Sequence, residues 1–171
     1  AIAKRAEETL QSLKPDEQQI VRRIFTRLVR VTQPEENAED TKRRIALNEL
    51  EPGYHRLVKE LADARLLVTG RDEQSGSETI EVAHEALIRN WRELQSWLNS
   101  DREFLLWRQR LRYQVENWQA TNKDEGSLLR GATLTKAQGW LASRASELSQ
   151  SEQTFIDESQ SVTTREQDER E

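Results

Sequence analysis

The chain has 171 residues, of which 35% are hydrophobic and 33% charged, and its formal net charge is −5. This length suits one domain or two small ones, and the acidic balance argues against a protein that binds nucleic-acid phosphates. The absence of cysteine excludes disulfides, thiol nucleophiles and Cys-based metal sites.

No apolar run approaches the roughly 20 residues that a membrane-spanning helix needs, so we expect a cytoplasmic protein. The sequence contains no methionine and begins Ala-Ile-Ala-Lys. A natural reading frame needs an initiator, and we therefore expect the chain to be a piece of a longer protein.

The first third of the chain is predicted to begin with two helices. Residues 1–13 form a short one, and Pro15 suits the first position of the next. Asp16 and Glu17 then lie favourably in its first turn. Apolar residues recur at helical spacing after them, and the helix should stop before Pro34.

The segment that follows has the element order of a winged helix. Arg43–Leu47 reads as a short strand, Asn48 starts a brief helical turn, and Gly53 leads into a helix. Leu66–Thr69 and Thr79–Val82 are strand-like and are separated by a turn-rich stretch, which predicts a β-hairpin. This helix-turn-helix variant has the element order helix, strand, helix, helix, strand, wing, strand. We assign residues 14–84 to a winged-helix domain.

Only helices are predicted from Glu85 onward. Ser100 and Glu103 form a capping-box pattern that should open a second helix, and residues 85–148 should make a helical bundle or linker. A second capping box, Ser149 with Glu152, opens a C-terminal helix over residues 149–171, which we expect to fray beyond Val162. The predicted fold is mainly α with a small β-hairpin wing, a winged helix-turn-helix followed by a helical bundle or arm.

Four of the five tryptophans are in register with leucines. Trp91, Trp107, Trp118 and Trp140 are therefore predicted to pack in the core rather than to form a ligand cage. Trp97 lies off this stripe, and we expect it to face a neighbouring helix.

The residues available for catalysis are few. His55 and His84 are far apart and belong to no helical metal-binding pair. The glycines form no phosphate-cradling loop ahead of a Lys-Ser/Thr pair, and the carboxylates fall on solvent-facing helix positions. We expect no enzymatic activity, no metal and no cofactor in this chain by itself.

His84 lies where the second hairpin strand gives way to a helix. A helix start carries unpaired N–H groups and a partial positive charge, which favour an anion such as phosphate. A histidine there adds a directed hydrogen bond. The structural alternative is a packing histidine whose nitrogens are already paired. Arg89 follows on the same helix, where Glu85 or Glu93 could pair with it.

Recognition of DNA is the other function that a winged helix suggests. The helix Tyr54–Arg65 offers His55, Arg56 and Lys59 to a groove, but acidic side chains of the same helix and of the wing stand against them. Groove-reading modules need cations facing phosphates. A winged helix that packs on another protein domain fits this charge pattern better.

The sequence resembles the region after the nucleotide-binding core of bacterial STAND-class signalling ATPases, which are similar to NACHT and NB-ARC proteins and often end in WD40 repeats. Several segments, which together span almost the whole chain, carry the resemblance: Leu61–Thr69, Val82–Arg89 with Trp91, Asp101–Leu105 with Trp107, Leu128–Ala132 and Phe155–Ile156.

In better-known relatives the winged helix ends in a Met-His-Asp motif whose histidine touches the β-phosphate of bound ADP. Ala83-His84-Glu85 is similar, with Ala for Met and Glu for Asp. The resemblance implies that His84 and Glu85 sense the nucleotide held by an upstream NTPase domain. ADP or ATP would then be the cofactor of the parent protein, and the chain would be a non-catalytic regulatory module that couples this nucleotide state to downstream repeats.

Two alternatives stay open from the residues. One is a DNA-binding winged-helix transcriptional regulator with a helical dimerisation arm. The other is a helical scaffold without a switch, in which His84 would be buried and paired with backbone. The stimulus, the downstream partner and self-association through the last helix are left open by the sequence.

Overall fold

The computed structural model describes residues 1–170 and contains helices joined to small antiparallel sheets. The helices are α1 (Ile2–Gln11), α2 (Pro15–Arg27), α3 (His55–Asp63), α4 (Glu85–Asn90), α5 (Arg92–Ala120), α6 (Gly131–Arg144) and α7 (Gln150–Arg170). The strands are β1 (Val29–Arg30), β2 (Thr41–Lys42), β3 (Ile45–Ala46), β4 (Leu67–Arg71) and β5 (Glu78–Val82). The predicted mainly helical class with a small hairpin is confirmed. Within residues 1–170, no helix is long and apolar enough to cross a membrane.

The chain divides into two compact units, residues 1–106 and residues 107–171. The boundary predicted near His84 lies inside the first unit, because α4 packs on α1 and on β2. The division instead falls within α5. Glu171, the last residue of the predicted segment 149–171, lies outside the described residues.

The predicted hairpin forms in the first unit. β4 and β5 pair antiparallel from Leu67 opposite Val82 to Arg71 opposite Glu78. β3 adds to the other side of β5, so the strand order is β3-β5-β4. The strand predicted over Arg43–Leu47 is shorter than expected, because a 3-10 turn begins at Leu47.

A second, two-stranded sheet was not predicted. α2 ends at Arg27, well short of Pro34, and β1 then pairs antiparallel with β2. Two-residue strands carry too little alternation to be recognised in a sequence. The pairing closes the polar loop between Val31 and Asp40, which also contains a 3-10 turn at Pro34–Glu36.

Trp91 separates α4 from α5. Its backbone is extended, with φ −86° and ψ 104°, so the helix cannot continue through it. The indole is buried and makes edge-to-face contacts with Phe25 and Trp97, with both pairs of ring centroids 5.3 Å apart. Its Nε1 donates a hydrogen bond of 2.9 Å to Glu7 Oε1 of α1. The indole therefore ties α4 to α1 and α2.

The helix start predicted at Ser100 is wrong. α5 runs without interruption through that position, and the break lies nine residues earlier at Trp91. The capping-box pattern of Ser100 and Glu103 is not used because neither side chain is at a helix end. The break lies instead at Trp91, whose extended backbone separates α4 from α5.

The second unit packs α6 and α7 with the C-terminal part of α5. The ring centroids of Trp118 and Phe155 are 5.4 Å apart, and those of Trp107 and the half-buried Trp140 are 6.0 Å apart. The predicted capping box at Ser149 is confirmed, because its backbone N–H and hydroxyl both bond to Glu152. α7 continues beyond Val162 as far as Arg170, although we expected this segment to fray.

Ser159 is fully buried in this unit and joins α7 to the chain ahead of α6. Its hydroxyl donates to Phe155 O at 2.8 Å and accepts from the backbone N–H of Leu129 at 3.0 Å. An alanine at this position would leave a buried N–H without a partner, which costs about 1–3 kcal/mol.

We expect Ser159→Ala to lower the free energy of unfolding by about 1–3 kcal/mol in urea titrations. Hydrogen exchange at the Leu129 amide should also become faster. Ser161→Ala is the matched control, because it makes the same exchange on the exposed side of α7 and gains the same helix propensity. Equal stability of the two variants would contradict the structural role of Ser159.

Candidate functional site

His84 lies between β5 and α4 with its side chain exposed. Its backbone is extended, with φ −144° and ψ 135°, and its carbonyl accepts the first helical hydrogen bond from Leu87 N at 3.0 Å. The ring makes no capping bond to α4, and no residue of the described chain hydrogen-bonds to it. Both ring nitrogens are therefore open to a ligand or to another domain.

Glu85 is the first residue of α4 and is also exposed. A carboxylate at a helix start interacts favourably with the helix dipole. The same negative charge would repel a phosphate that came directly to the helix start. Chemically, Glu85 therefore suits a hydrogen-bond donor or a nucleotide-associated cation better than it suits phosphate. No cluster of three metal-ligating side chains is present in residues 1–170.

Arg89 lies at the other end of α4, beside a surface cleft. Its Nη1 is 3.3 Å from Glu39 Oε2, and both side chains are mostly exposed. A pair of this kind contributes little to stability. The partner is Glu39 of the loop after β1, not the Glu85 or Glu93 that helical spacing suggested. The carbonyl of Arg89 also accepts a hydrogen bond from Gln95 Nε2.

The cleft has a volume of about 630 Å³ and lies between the loop after β1, α4 and the start of α5. It has both apolar walls, such as Ile88 and Leu98, and polar ones, such as Gln95 and Asn99. Its volume falls in the range of about 300–1,000 Å³ that is usual for ligand pockets.

The wall of the cleft is held by a charge pair that sequence reasoning missed. Two Arg102 nitrogens bond to the two Asp40 carboxylate oxygens, both at 2.9 Å. Arg102 also donates to Thr32 O at 3.0 Å and to Asn99 Oδ1 at 2.9 Å. Asp40 further accepts from the Thr32 backbone N–H at 2.9 Å. This network closes the loop from Thr32 to Asp40 onto α5.

The same network shifts the ionisation of Asp40. Burial by itself raises the pKa of this carboxyl, but the hydrogen bonds from Arg102 and Thr32 outweigh it and hold the pKa below its usual value of 3.8. The lowered pKa means that ionised Asp40 stabilises the fold at neutral pH. This stabilisation is lost as the pH falls through the lowered pKa.

His55, Arg56 and Lys59 form a separate group on α3, which packs against α2 and β4. Arg56 bonds to Glu17 at 2.6 Å and to Glu60 at 2.7 Å. The hydrogen bond from Arg56 lowers the pKa of Glu17, and the bond to Glu17 in turn raises that of Arg56. His55 is half-buried, and its Nε2 is enclosed without a hydrogen-bond partner among the described residues. Lys59 is exposed.

The structure thus brings His84 and Glu85 together at one end of α4 and Arg89 to the other. The α3 residues belong to another element. The Asp40–Arg102 pair joins residues 62 positions apart, and no local pattern could have identified it. The one sequence signal that includes Arg102 is the segment Asp101–Leu105, which carries part of the family resemblance.

We expect Asp40→Asn to lower the free energy of unfolding by about 1–2 kcal/mol at pH 7, because a largely buried arginine loses its charged partner. The difference from the wild type should shrink as the pH falls below the usual pKa of aspartate. Urea unfolding of both proteins at several pH values between 7 and 2.5 measures this difference in the free energy of unfolding.

Glu39→Gln is the control for this experiment, since it removes an adjacent carboxylate that is 72% exposed. It should change stability by less than about 0.5 kcal/mol. A deficit of Asp40→Asn that is independent of pH, or an equal deficit of the control, would contradict the assigned role.

Comparison with known proteins places these residues in a family. Searches of curated proteins and of solved structures found no match. The sequence model of one family, described as novel STAND NTPase 1, matches residues 1–126. The match covers both ends of α4, the cleft and the Asp40–Arg102 pair, and it extends over more than two thirds of the chain. The chain therefore belongs to the novel STAND NTPase 1 family.

Proposed function

We propose that the chain is a non-catalytic regulatory module of a STAND signalling NTPase. In this proposal it couples the nucleotide state of an upstream NTPase domain to downstream repeats, for which WD40 repeats are the first candidate. Its partners are then domains of the same protein, and ADP or ATP is bound by the upstream domain. The exposed, unpartnered ring of His84 at the start of α4 is the observation that supports this proposal.

The arrangement around the sheet supports a winged-helix description of residues 14–84. α3 leads directly into the hairpin, and β3 lies beside β5 rather than beside β4. In this description β4 and β5 flank the wing, and His84 follows the last strand of the domain. The histidine is then in the position that a nucleotide-touching motif would need.

The proposed mechanism is a two-state switch. While the upstream domain holds ADP, His84 donates a hydrogen bond to a phosphate oxygen, and Glu85 contacts a donor or cation beside it. Exchange to ATP removes this preference, and the module changes its packing on the NTPase domain. A ligand can shift such an equilibrium only by its differential affinity for the two states. A hydrogen bond to a charged group supplies about 1.5–3 kcal/mol of this difference.

Two observations weigh against the alternatives. Arg56, the central cation of the candidate DNA-reading helix, is already paired with Glu17 and Glu60, so its charge is neutralised within the chain. A helical scaffold without a switch requires a buried and paired His84, whereas this side chain is exposed. Both observations favour a module that faces another protein domain.

We expect His84→Ala, made in the protein that carries this chain, to weaken ADP binding about tenfold or more and to raise basal signalling. ADP dissociation measured with a fluorescent analogue tests the first effect. Asn90→Ala is the matched control, because Asn90 is an exposed residue at the other end of α4. It should leave ADP release unchanged.

The stability of the chain should be the same in both variants, which separates sensing from folding. Unchanged ADP affinity and unchanged basal signalling in His84→Ala would refute the sensor role. A salt-dependent shift of duplex DNA by the chain would favour the DNA-binding alternative.

A further inference from the structure

A groove in the second unit is not used by the proposed nucleotide sensor. It has a volume of about 280 Å³ and is lined by three residues of α5, by Leu129, and by two residues at the start of α6. The α5 residues Trp107, Arg110 and Gln114 follow each other at steps of three and four, so they form one stripe of the helix. The groove therefore runs between two helices of a single compact unit.

The floor of this groove is apolar and its rim is cationic. Trp107 and Leu129 are at least nine-tenths buried, whereas Arg110 and Lys136 are exposed. No acidic residue lines the groove. Within residues 1–170, neither of these cations has an ion-pair partner, whereas Arg130 and Arg165 of the same unit each pair with a carboxylate. The two positive charges are thus left unmatched beside an apolar surface.

An exposed aromatic residue adjoins the rim. Tyr113 is 65% exposed and follows Arg110 by three positions on α5, so the two side chains are neighbours on the helix surface. Large exposed hydrophobic side chains are otherwise rare here, and Val68 is the other one in the described chain. Tryptophan, tyrosine and arginine are the residue types that dominate binding energy at protein interfaces.

We propose that this groove binds an acidic segment of a partner protein that carries one apolar anchoring side chain. The anchor would occupy the groove over Trp107 and Leu129, and flanking carboxylates would meet Arg110 and Lys136. Its volume of about 280 Å³ lies at the lower end of the range of small-molecule pockets, about 300–1,000 Å³, and gives room for one apolar side chain. The unmatched cations are the charge complement of such a segment.

The test uses the whole chain and a labelled peptide in which three acidic residues flank a central leucine on each side. Fluorescence anisotropy should detect binding at low ionic strength, and the affinity should fall as salt is added. The double variant Arg110→Glu with Lys136→Glu should weaken binding about tenfold or more. Replacing the central leucine of the peptide by alanine should weaken it as well, since the anchor would be lost.

A second double variant, Arg44→Glu with Arg170→Glu, is the control. It changes the net charge by the same amount at exposed positions outside the groove, and it should bind the peptide like the wild type. Absence of binding by the wild type, or an equal loss in the control, would overturn the proposal. The proposal would also be overturned if the chain bound a single-stranded oligonucleotide of the same charge with the same affinity as the peptide. It would likewise be overturned if the chain formed a dimer that only the groove variant dissociated.

Discussion

The interaction on which the first unit depends is the burial of Trp91 at the break between α4 and α5. The indole packs against Phe25 of α2 and Trp97 of α5, and it donates a hydrogen bond to Glu7 of α1. The backbone of Trp91 is extended, and α4 ends just before it with six residues. This short helix carries His84 at its start and faces the cleft with Arg89 near its end. The contacts of Trp91 therefore hold the helix on which the positions of both residues depend.

Several cations of the first unit are already paired with a carboxylate, and this restricts where an anionic ligand can bind. Arg56 is neutralised by Glu17 and Glu60, Arg102 by Asp40, and Arg22 by the buried Asp101. Charges that are already paired stabilise the loops and helices that carry them, and they attract a polyanion weakly. His84 differs because its ring is exposed and has no partner in the described chain. In the proposed function, this imidazole senses the nucleotide held by a neighbouring domain.

Local patterns predicted the hairpin, the capping box of Ser149 and the position of His84 between a strand and a helix, because each depends on residues close in sequence. Contacts between distant residues escaped prediction. The Asp40–Arg102 pair, the two-residue strands β1 and β2, and the hydrogen bond from Leu129 to Ser159 have no periodic signature. Ser100 and Glu103 gave a false helix start, since a capping pattern cannot reveal that Trp91 ends the preceding helix nine residues earlier.

The proposed switch can be tested by measuring the accessibility of His84 in a protein that carries this chain together with its nucleotide-bound NTPase domain. Diethylpyrocarbonate modifies exposed imidazoles, and mass spectrometry reads the two histidines of this chain separately. His55 is the internal reference, because its Nε2 is enclosed by the fold and should react slowly in every state. We expect His84 to react fast in the isolated chain and in the ATP-bound parent protein, and we expect ADP to protect it. Equal reactivity of His84 with ADP and with ATP would contradict the proposed switch.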